Sequence, residues 1–111
     1  MDTRSLGRSG LKISPLCLGT MMFGDATDEV TSGTIIAKAK DAGINFIDTA
    51  DAYSKGKSES IVGRAIKKDR QDWILATKAA NPMGDGANQR GLSRRWLLQA
   101  AEDSLRRLGT D

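Results

Sequence analysis

Cysteine, aromatic side chains and long apolar runs are all scarce in this chain, and each scarcity argues against a class of protein. Cys17 is the single cysteine, so a disulfide framework cannot form and a reduced, cytoplasmic setting is favoured. Aromatic residues make up 5% of the chain, which is too little to build a base-stacking surface for nucleic acid. No apolar run approaches the roughly 18 residues of a membrane span, and no apolar leader follows Met1. We therefore expect no nucleic-acid partner, no membrane partner and no export.

The charge balance is that of an ordinary globular domain. Lysine and arginine number 17 against 14 acidic residues, and hydrophobic residues make up 39% of the 111 positions. Cys17 lies within an apolar run, and we interpret it as a small core residue. Most basic residues fall on predicted helices and are interpreted as solvated helix faces: Arg64, Lys67, Lys68, Arg70, Arg94, Arg95, Arg106 and Arg107.

The chain opens with a predicted β-hairpin. Residues 3–6 and 11–14 are short segments of alternating polarity, and Gly7-Arg8-Ser9-Gly10 separates them. Glycines suit the tight reversal between two antiparallel strands. The pattern therefore predicts a hairpin over residues 3–14.

After the hairpin the sequence alternates three times between an apolar strand and a helix. The strands are apolar throughout, as expected of strands that are covered on both faces. Their regular recurrence is typical of a parallel α/β fold. The predicted pairs are strand 16–18 with helix 28–42, strand 44–48 with helix 58–68, and strand 73–78 with helix 93–108.

Two of these helices have apolar residues at helical spacing, which predicts the faces that they bury. Ser93 is the predicted N-cap of the third helix and Gly109 its end. Glu59 is interpreted as a favourable negative charge at the start of the second helix. The predicted buried faces are Ile61, Val62, Ala65 and Ile66 in the second helix, and Leu97, Leu98, Ala101, Leu105 and Leu108 in the third.

Titratable side chains stand at the ends of two predicted strands. One strand ends at Asp48, with Tyr53 in the loop that follows, and another ends at Lys78. The C-terminal ends of parallel strands meet at one edge of a sheet, where α/β enzymes build their active sites. A lysine ammonium stabilises phenolate and lowers a tyrosine pKa from about 10, which makes the phenol a better acid near neutral pH. Taken singly, Tyr53 would be an amphipathic loop residue, Lys78 a snorkelling strand end and Asp48 a turn residue.

Three successive strands that deliver side chains to one rim favour a (β/α)8 TIM barrel. A Rossmann unit is the competitor, but the loop after the first strand, Gly19-Thr20-Met21-Met22-Phe23-Gly24, lacks the G-x-G of its fingerprint. A complete barrel needs roughly 250 residues. We therefore expect residues 1–111 to form the N-terminal portion of an incomplete barrel, whose remainder is absent and needed for folding.

Several blocks of this sequence resemble the N-terminal part of the aldo-keto reductases. The resemblance runs through essentially the whole chain, and its most specific parts are the block from Asp48 to Tyr53 and the strand end Thr77-Lys78. The blocks are Gly19-Thr20-Met21, Gly43-Ile44-Asn45-Phe46-Ile47-Asp48-Thr49-Ala50-Asp51-Ala52-Tyr53, Ser58-Glu59, Gly63, Ala76-Thr77-Lys78 and Ser104-Leu105-Arg106-Arg107-Leu108-Gly109-Thr110-Asp111.

The resemblance implies a barrel enzyme that reduces a small-molecule aldehyde or ketone with NADPH, or less often NADH, and needs no metal. It implies that Tyr53 is the general acid and that Lys78 lowers the pKa of Tyr53. It further implies that Asp48 holds Lys78 and contacts the nicotinamide ribose of the cofactor. The turn that would line the cofactor is Gly19-Thr20-Met21.

One part of the family pattern is missing. The aldo-keto reductases have a catalytic histidine at the end of the fourth strand, and this sequence contains no histidine. In relatives that strand follows the position of Leu108-Gly109-Thr110-Asp111, so we expect truncation rather than loss. Met22 and Phe23, in the loop at the reactive rim, are candidates for the wall of a substrate pocket.

Two other functions stay open at this point. Some relatives of this barrel are regulatory subunits of ion channels, which bind the cofactor and can keep Asp48, Tyr53 and Lys78. The other alternative is a small non-enzymatic α/β module that self-associates through its open sheet edges.

Overall fold

The computed structural model describes residues 1–111 and begins with a two-stranded antiparallel hairpin. Its strands are β1 (Arg4–Ser5) and β2 (Lys12–Ile13). Gly7 and Gly10 make the reversal with φ angles of 56° and 82°, which glycine adopts at no steric cost. The hairpin predicted over residues 3–14 is confirmed.

Asn45 ties this hairpin to the main sheet. Its side-chain Oδ1 accepts a hydrogen bond from the backbone N–H of Ser14 at 2.7 Å, and its Nδ2 donates to the carbonyl oxygen of Lys12 at 3.0 Å. Ser14 is 1% exposed, so its backbone N–H needs this partner. Asn45 directly precedes the second strand of the sheet, and the hairpin therefore lies against the N-terminal ends of the strands.

Three parallel strands form the main sheet, in the order β3 (Leu18–Gly19), β4 (Phe46–Asp48) and β5 (Ile74–Ala76). Gly19 and Ala76 flank Asp48 in register, so the C-terminal ends of all three strands meet at one edge. The predicted parallel α/β order is confirmed. β3 and β5 each pair on one side only, and the sheet therefore does not close into a barrel.

The first strand of this sheet starts later than predicted. Pairing begins at Leu18, whereas the sequence predicts a strand over residues 16–18. The chain bends at Pro15 and Leu16 before it enters the sheet. Leu16 is 57% exposed and Cys17 is also exposed. The interpretation of Cys17 as a core residue is wrong, because no element of the chain covers the residues that precede β3.

Two helices begin and end as their sequences predict. α1 (Glu29–Asp41) has Asp28 as its N-cap and α3 (Arg94–Leu108) has Ser93. Each cap side chain accepts the backbone N–H three residues further on, at 2.7 Å and 3.0 Å. Gly109 ends α3 in the left-handed conformation, as glycine commonly does at a helix C-terminus.

α2 (Lys57–Ile66) begins differently, without a side-chain cap. It follows directly from a 3-10 turn, Tyr53–Gly56, in which Ser54, Lys55 and Gly56 have φ angles of 50°, 53° and 91°. A left-handed conformation costs roughly 1–2 kcal/mol per non-glycine residue. The strained turn leads the chain into the helix one residue earlier than the sequence predicts.

The hydrophobic core is built by α1, α2, the central strand β4, the loop between β3 and α1, the residue before β5 and the end of α3. A second 3-10 segment, Lys67–Asp72, leads from α2 into β5 and contributes no buried residue. Ile47 of β4 and Val62 of α2 are completely buried. The nine core residues are Phe23, Ile36, Ala39, Ile47, Ile61, Val62, Ile66, Trp73 and Leu108.

The predicted face of α3 is mostly exposed. Leu97, Leu98 and Leu105 are 39%, 52% and 41% exposed, and Ala101 is exposed as well. Ala65 of α2 is also exposed, against expectation. Only Leu108 of the predicted α3 face is buried. The face that is buried consists of Trp96, Ala100, Ser104 and Leu108.

Small residues let α2 and α3 approach each other closely. A Cβ built on Gly63 of α2 would lie 2.2 Å from the carbonyl oxygen of Leu108, a separation that real atoms do not tolerate. Ala100 and Ser104 lie on the buried face of α3, where larger side chains would hold the helices apart. Leu97, Leu98 and Leu105 therefore face away from this interface, because it has no space for them.

We expect Gly63→Ala to destabilise the fold by about 2 kcal/mol, because the added methyl group forces α2 and α3 apart. Gly33 of α1 is the matched control, since it is also a helix-interior glycine but has no atom within 4 Å of the added Cβ. Gly33→Ala should stabilise by roughly 0.5–1 kcal/mol through helix propensity. Urea unfolding of both variants, each made in the complete barrel, measures the difference. Equal stabilisation by both substitutions would disprove the close approach at Gly63.

Candidate active site

The three predicted catalytic side chains meet at the C-terminal edge of the sheet. The ammonium Nζ of Lys78 donates hydrogen bonds to Asp48 Oδ2 at 2.5 Å, to Tyr53 Oη at 3.1 Å and to the carbonyl oxygen of Thr49 at 2.9 Å. All three donor positions of the ammonium are thus used, and its location is fixed. The phenol oxygen of Tyr53 and the carboxylate of Asp48 are therefore hydrogen-bonded to the same ammonium group.

Strand pairing brings these side chains together from distant parts of the sequence. The ladder between β4 and β5 continues beyond the strands, because the N–H of Thr49 donates to Ala76 at 2.9 Å and that of Asp51 donates to Lys78 at 3.1 Å. The backbone on both sides of the site is thereby paired. Tyr53 is then delivered by the left-handed turn that precedes α2.

The neighbours of Lys78 stabilise its protonated form. Burial by itself would lower the pKa of Lys78, but the hydrogen bonds and the negative charge of Asp48, together with the contact to Tyr53, raise it above the usual value of 10.5. Lys78 is therefore a cation throughout the neutral range. An ammonium at hydrogen-bond distance stabilises the negative charge that develops on a phenol oxygen when it gives up its proton.

Three buried hydroxyl groups support the rim from below. Thr20 Oγ1 donates to the carbonyl oxygen of Asp48 at 2.8 Å. The hydroxyl of Ser58, in the first turn of α2, lies 2.9 Å from those of Thr20 and Thr49. All three residues are 1% exposed or less. The side chain of Thr20, predicted from the resemblance to line a cofactor, is therefore used inside the protein, and only its backbone remains for the predicted contact.

The other predicted binding residues occupy different environments. Gly19 lies beside Asp48, where a Cβ would come within 3.6 Å of Oδ1. Met21 and Met22 are 59% and 42% exposed at the same rim. Phe23 is 4% exposed and packs in the core, so its prediction as a pocket wall is wrong.

A tight loop explains the burial of Phe23. Its N–H donates to the carbonyl oxygen of Thr20 at 3.0 Å, and the N–H of Gly24 donates to Thr27 at 2.8 Å. These bonds fold the loop back on itself and turn the aromatic ring towards Ile36 and the other core residues. The sequence pattern of three successive apolar residues could not distinguish which of them turns inward.

A sequence profile of the Aldo/keto reductase family matches residues 15–111. This chain belongs to the aldo/keto reductase family. An uncharacterized oxidoreductase of Bacillus subtilis, YrpG, is 45% identical over 122 aligned residues, and a probable voltage-gated potassium channel subunit beta of Arabidopsis thaliana is 37% identical over 115. Both alignments take in 100% of this chain but only 37% and 35% of the respective relatives.

A solved structure gives the same result for the fold. The holo form of an aldo-keto reductase from Bacillus halodurans superposes with a TM-score of 0.89 at 43% identity, and the match covers 100% of this chain and 37% of that one. The aldo/keto reductase chain is therefore part of a TIM barrel, as the sequence predicts, and it spans little more than a third of the relatives' length.

Sequence reasoning missed one buried charge in this aldo/keto reductase chain. Glu59 lies in the first turn of α2, as predicted, but its side chain is 0% exposed. Its Oε1 accepts from Nε of Arg107 at 2.7 Å, and its Oε2 accepts from the hydroxyl of Thr77 at 2.8 Å. Both partners lie far away in the sequence, so no local pattern could have indicated the contact.

A second buried carboxyl group, that of Asp51, lies between Asp48 and Tyr53 in the chain. It is 1% exposed, and its Oδ2 has no hydrogen-bond partner. Burial raises the pKa of Asp51 above its ordinary value of 3.8, and the nearby charge of Glu59 adds to this. The folded chain thus binds a proton at Asp51 more readily than the unfolded chain does, so this group makes stability fall as the pH rises from 3.8 through the raised folded value.

We expect Asp51→Asn to stabilise the fold by about 1 kcal/mol near pH 7, because it removes a buried and incompletely paired charge. The gain should shrink as the pH falls through the raised pKa of Asp51, because protonation also removes the charge. Asp28→Asn is the control, because the pKa of Asp28 is shifted in the opposite direction. A hydrogen bond from Thr31 lowers the pKa of Asp28, so the stability that the Asp28 carboxylate contributes is lost as the pH falls through that lowered pKa. Denaturant unfolding of the complete barrel near pH 7 and at lower pH gives the comparison. A loss of stability by Asp51→Asn near pH 7 would contradict the prediction.

No helix combines the length and the apolar character that crossing a membrane requires. No group of three or more histidine, cysteine, aspartate or glutamate side chains lies close enough together to hold a metal ion.

Proposed function

We propose that the protein to which this chain belongs is an NAD(P)H-dependent reductase that converts a small aldehyde or ketone to an alcohol. The observation that carries the proposal is the placement of Lys78 Nζ, 2.5 Å from Asp48 Oδ2 and 3.1 Å from Tyr53 Oη. In this arrangement the phenol of Tyr53 can donate a proton, and the ammonium of Lys78 can stabilise the charge that remains. Membership of the aldo/keto reductase family, which generally uses NAD(P)H, supports the same chemistry.

In the proposed reaction Tyr53 gives its phenolic proton to the carbonyl oxygen of the substrate. The bound cofactor would supply a hydride to the carbonyl carbon, so that one hydride and one proton together convert C=O to CH–OH. Lys78 stabilises the negative charge left on the phenol oxygen, and Asp48 holds Lys78 in line with it. Electrostatic stabilisation arranged before the reaction accounts for a large part of the rate in such sites.

The rim also fits one end of a nicotinamide cofactor. Asp48 uses Oδ2 for Lys78, while its Oδ1 accepts no hydrogen bond within the chain. Gly19, which has no side chain, leaves space beside that oxygen. A carboxylate oxygen with free acceptor capacity suits a ribose hydroxyl group. Asp48, Gly19, the backbone of Thr20 and Met21 would thus hold the nicotinamide ribose, with NADPH as the expected cofactor and NADH as the alternative.

The exposed thioethers of this rim suit an uncharged substrate. Met22 is 42% exposed and follows the proposed cofactor turn directly. Flexible and polarisable methionine side chains adapt to apolar surfaces of different shape. We propose that Met22 contacts the carbonyl substrate. We also propose a cytoplasmic location, on the basis of the lone cysteine.

The test is carbonyl-dependent oxidation of NADPH by the complete barrel that contains this chain. A panel of aliphatic and aromatic aldehydes and ketones is supplied, and the loss of NADPH absorbance is recorded. Saturable turnover that requires the carbonyl compound supports the proposal. Tight NADPH binding without measurable turnover on any carbonyl would contradict it.

A regulatory role is the second candidate, because the chain is 37% identical to a relative named as a probable voltage-gated potassium channel subunit beta. In that case the same rim would bind the cofactor as a sensor. The two candidates differ in rate, since a sensor can bind NADPH with little turnover. Single-turnover and steady-state measurements on the same preparation separate them.

A further inference from the structure

We propose that Glu59 is a positioning residue for the Tyr53–Lys78 pair, acting through Thr77 on one side and Arg107 on the other. This rests on the proposed function, in which Tyr53 donates the proton. Glu59 itself has no hydrogen bond to the side chain of Tyr53 or Lys78. Its effect would be transmitted by the elements that it holds.

The first link runs from Glu59 to Lys78 along the end of β5. Glu59 Oε2 accepts the hydroxyl hydrogen of Thr77 at 2.8 Å, and Thr77 is the residue directly before Lys78. The carbonyl oxygen of Lys78 accepts the N–H of Asp51 at 3.1 Å. The strand end is thus held by a side-chain bond just before Lys78 and by a backbone bond at Lys78. This fixes the point from which the ammonium reaches Tyr53.

The second link runs from Glu59 to the turn that carries Tyr53. Glu59 Oε1 accepts from Nε of Arg107 at 2.7 Å, which draws the guanidinium of α3 towards α2. The side chain of Arg107 then packs on Gly56, where an added Cβ would lie 2.7 Å from its Cδ atom. Gly56 is the last residue of the turn that begins at Tyr53. The carboxylate of Glu59 therefore supports both the turn that carries Tyr53 and the strand end that carries Lys78.

The burial of Glu59 makes this arrangement rigid. It is 0% exposed, whereas the side chain of Arg107 is 26% exposed. Breaking a buried ion pair by removing one partner is strongly destabilising, since a charge is left without compensation. Both carboxylate oxygens have a hydrogen-bond partner, Thr77 on Oε2 and Arg107 on Oε1. The distance of 3.1 Å between Lys78 Nζ and Tyr53 Oη is thus supported by both hydrogen bonds of Glu59.

A structural role alone would affect stability but not the reacting groups, and matched substitutions at Thr77 separate the two. Thr77→Val keeps the shape and removes the hydroxyl group, whereas Thr77→Ser keeps the hydroxyl group. Glu59→Gln tests the carboxylate itself, and the double variant tests whether the two act together. Thr77→Val leaves the ion pair with Arg107 intact, so it remains informative even if Glu59→Gln fails to fold.

The measurements are steady-state reduction and the ionisation of Tyr53 in the complete barrel. Tyrosinate absorbance is followed against pH, and the trace of the Tyr53→Phe variant is subtracted so that only Tyr53 is observed. We expect Thr77→Val and Glu59→Gln to lower kcat about tenfold with little change in KM, because small displacements of reacting groups are costly. Both should also move the ionisation of Tyr53 to higher pH, Thr77→Ser should match the unsubstituted protein, and the double variant should resemble Glu59→Gln.

The outcomes distinguish this inference from the proposed function. Variants that melt earlier but keep both kcat and the ionisation midpoint of Tyr53 would overturn the positioning role, and so would a Thr77→Ser variant as defective as Thr77→Val. A displaced midpoint in a protein without reductase activity would support the positioning role and reject the reductase. Full activity with an unchanged midpoint in Thr77→Val would reject the positioning role alone.

Discussion

Tyr53→Phe is expected to lower kcat for carbonyl reduction at least about 100-fold, because a positioned general acid contributes roughly 10²- to 10⁴-fold. The substitution removes only the hydroxyl group that lies 3.1 Å from Lys78 Nζ. The ring and the turn that carries it remain, so packing should change little. The loss should therefore appear in kcat rather than in the binding of either substrate.

The control for Tyr53→Phe is the dissociation constant of NADPH, measured by fluorescence titration of the same preparation. The proposed cofactor contacts are made by Asp48 and the turn that begins at Gly19, and neither depends on the phenol oxygen. We expect the constant to stay within about twofold of that of the unsubstituted protein. A variant that retained more than about a tenth of the original kcat would remove Tyr53 from the role of acid.

Lys78→Met is expected to lower kcat and also to displace its pH dependence to higher pH. Without the ammonium, the phenolate that remains after proton transfer loses the neighbouring positive charge, so proton transfer from the phenol becomes less favourable. The raised pKa of Lys78 means that the unsubstituted protein keeps this charge throughout the neutral range. The limb of the pH profile that reports Tyr53 should therefore move, and not merely the maximal rate.

Lys78→Arg is the matched control because it keeps a permanent positive charge but changes the shape of the donor. It should lower kcat through misplacement while leaving the pH profile close to that of the unsubstituted protein. Stability should change little in either variant, since the ion pair with Asp48 is partly solvated, with 48% and 29% side-chain exposure. An unchanged pH profile in Lys78→Met would identify Lys78 as a structural strand end.

The proposed catalytic rim was predictable because its signals are local. An apolar run that stops at Asp48 and another that leads to Lys78 indicate two parallel strands, and parallel strands deliver their ends to one edge. Side-chain caps are local as well, since Asp28 and Ser93 contact N–H groups only three residues away. Features of this kind need no knowledge of what packs against them.

The missed features all depend on distant partners. The contacts of Glu59 come from Thr77 and Arg107, and the sequence around Glu59 is equally suited to a solvated helix start. The face that α3 buries was mispredicted because hydrophobicity favours its leucines, while the close approach of Leu108 to Gly63 requires small residues. Helical periodicity is compatible with several overlapping buried faces, and the shape of the neighbouring helix determines which of them is buried.

The left-handed turn behind Tyr53 limits which sequences this position of the fold can accept. Ser54 and Lys55 have φ angles of 50° and 53°, where glycine is free of strain and asparagine or aspartate is tolerated. The hydroxyl group of Ser54 is buried without a partner, so nothing is lost if it is removed. A randomised library at these two positions, selected for activity, would be enriched in glycine, asparagine and aspartate and depleted of valine, isoleucine and threonine. The choice of amino acid is thus restricted immediately after the proposed acid, at residues that take no part in the chemistry.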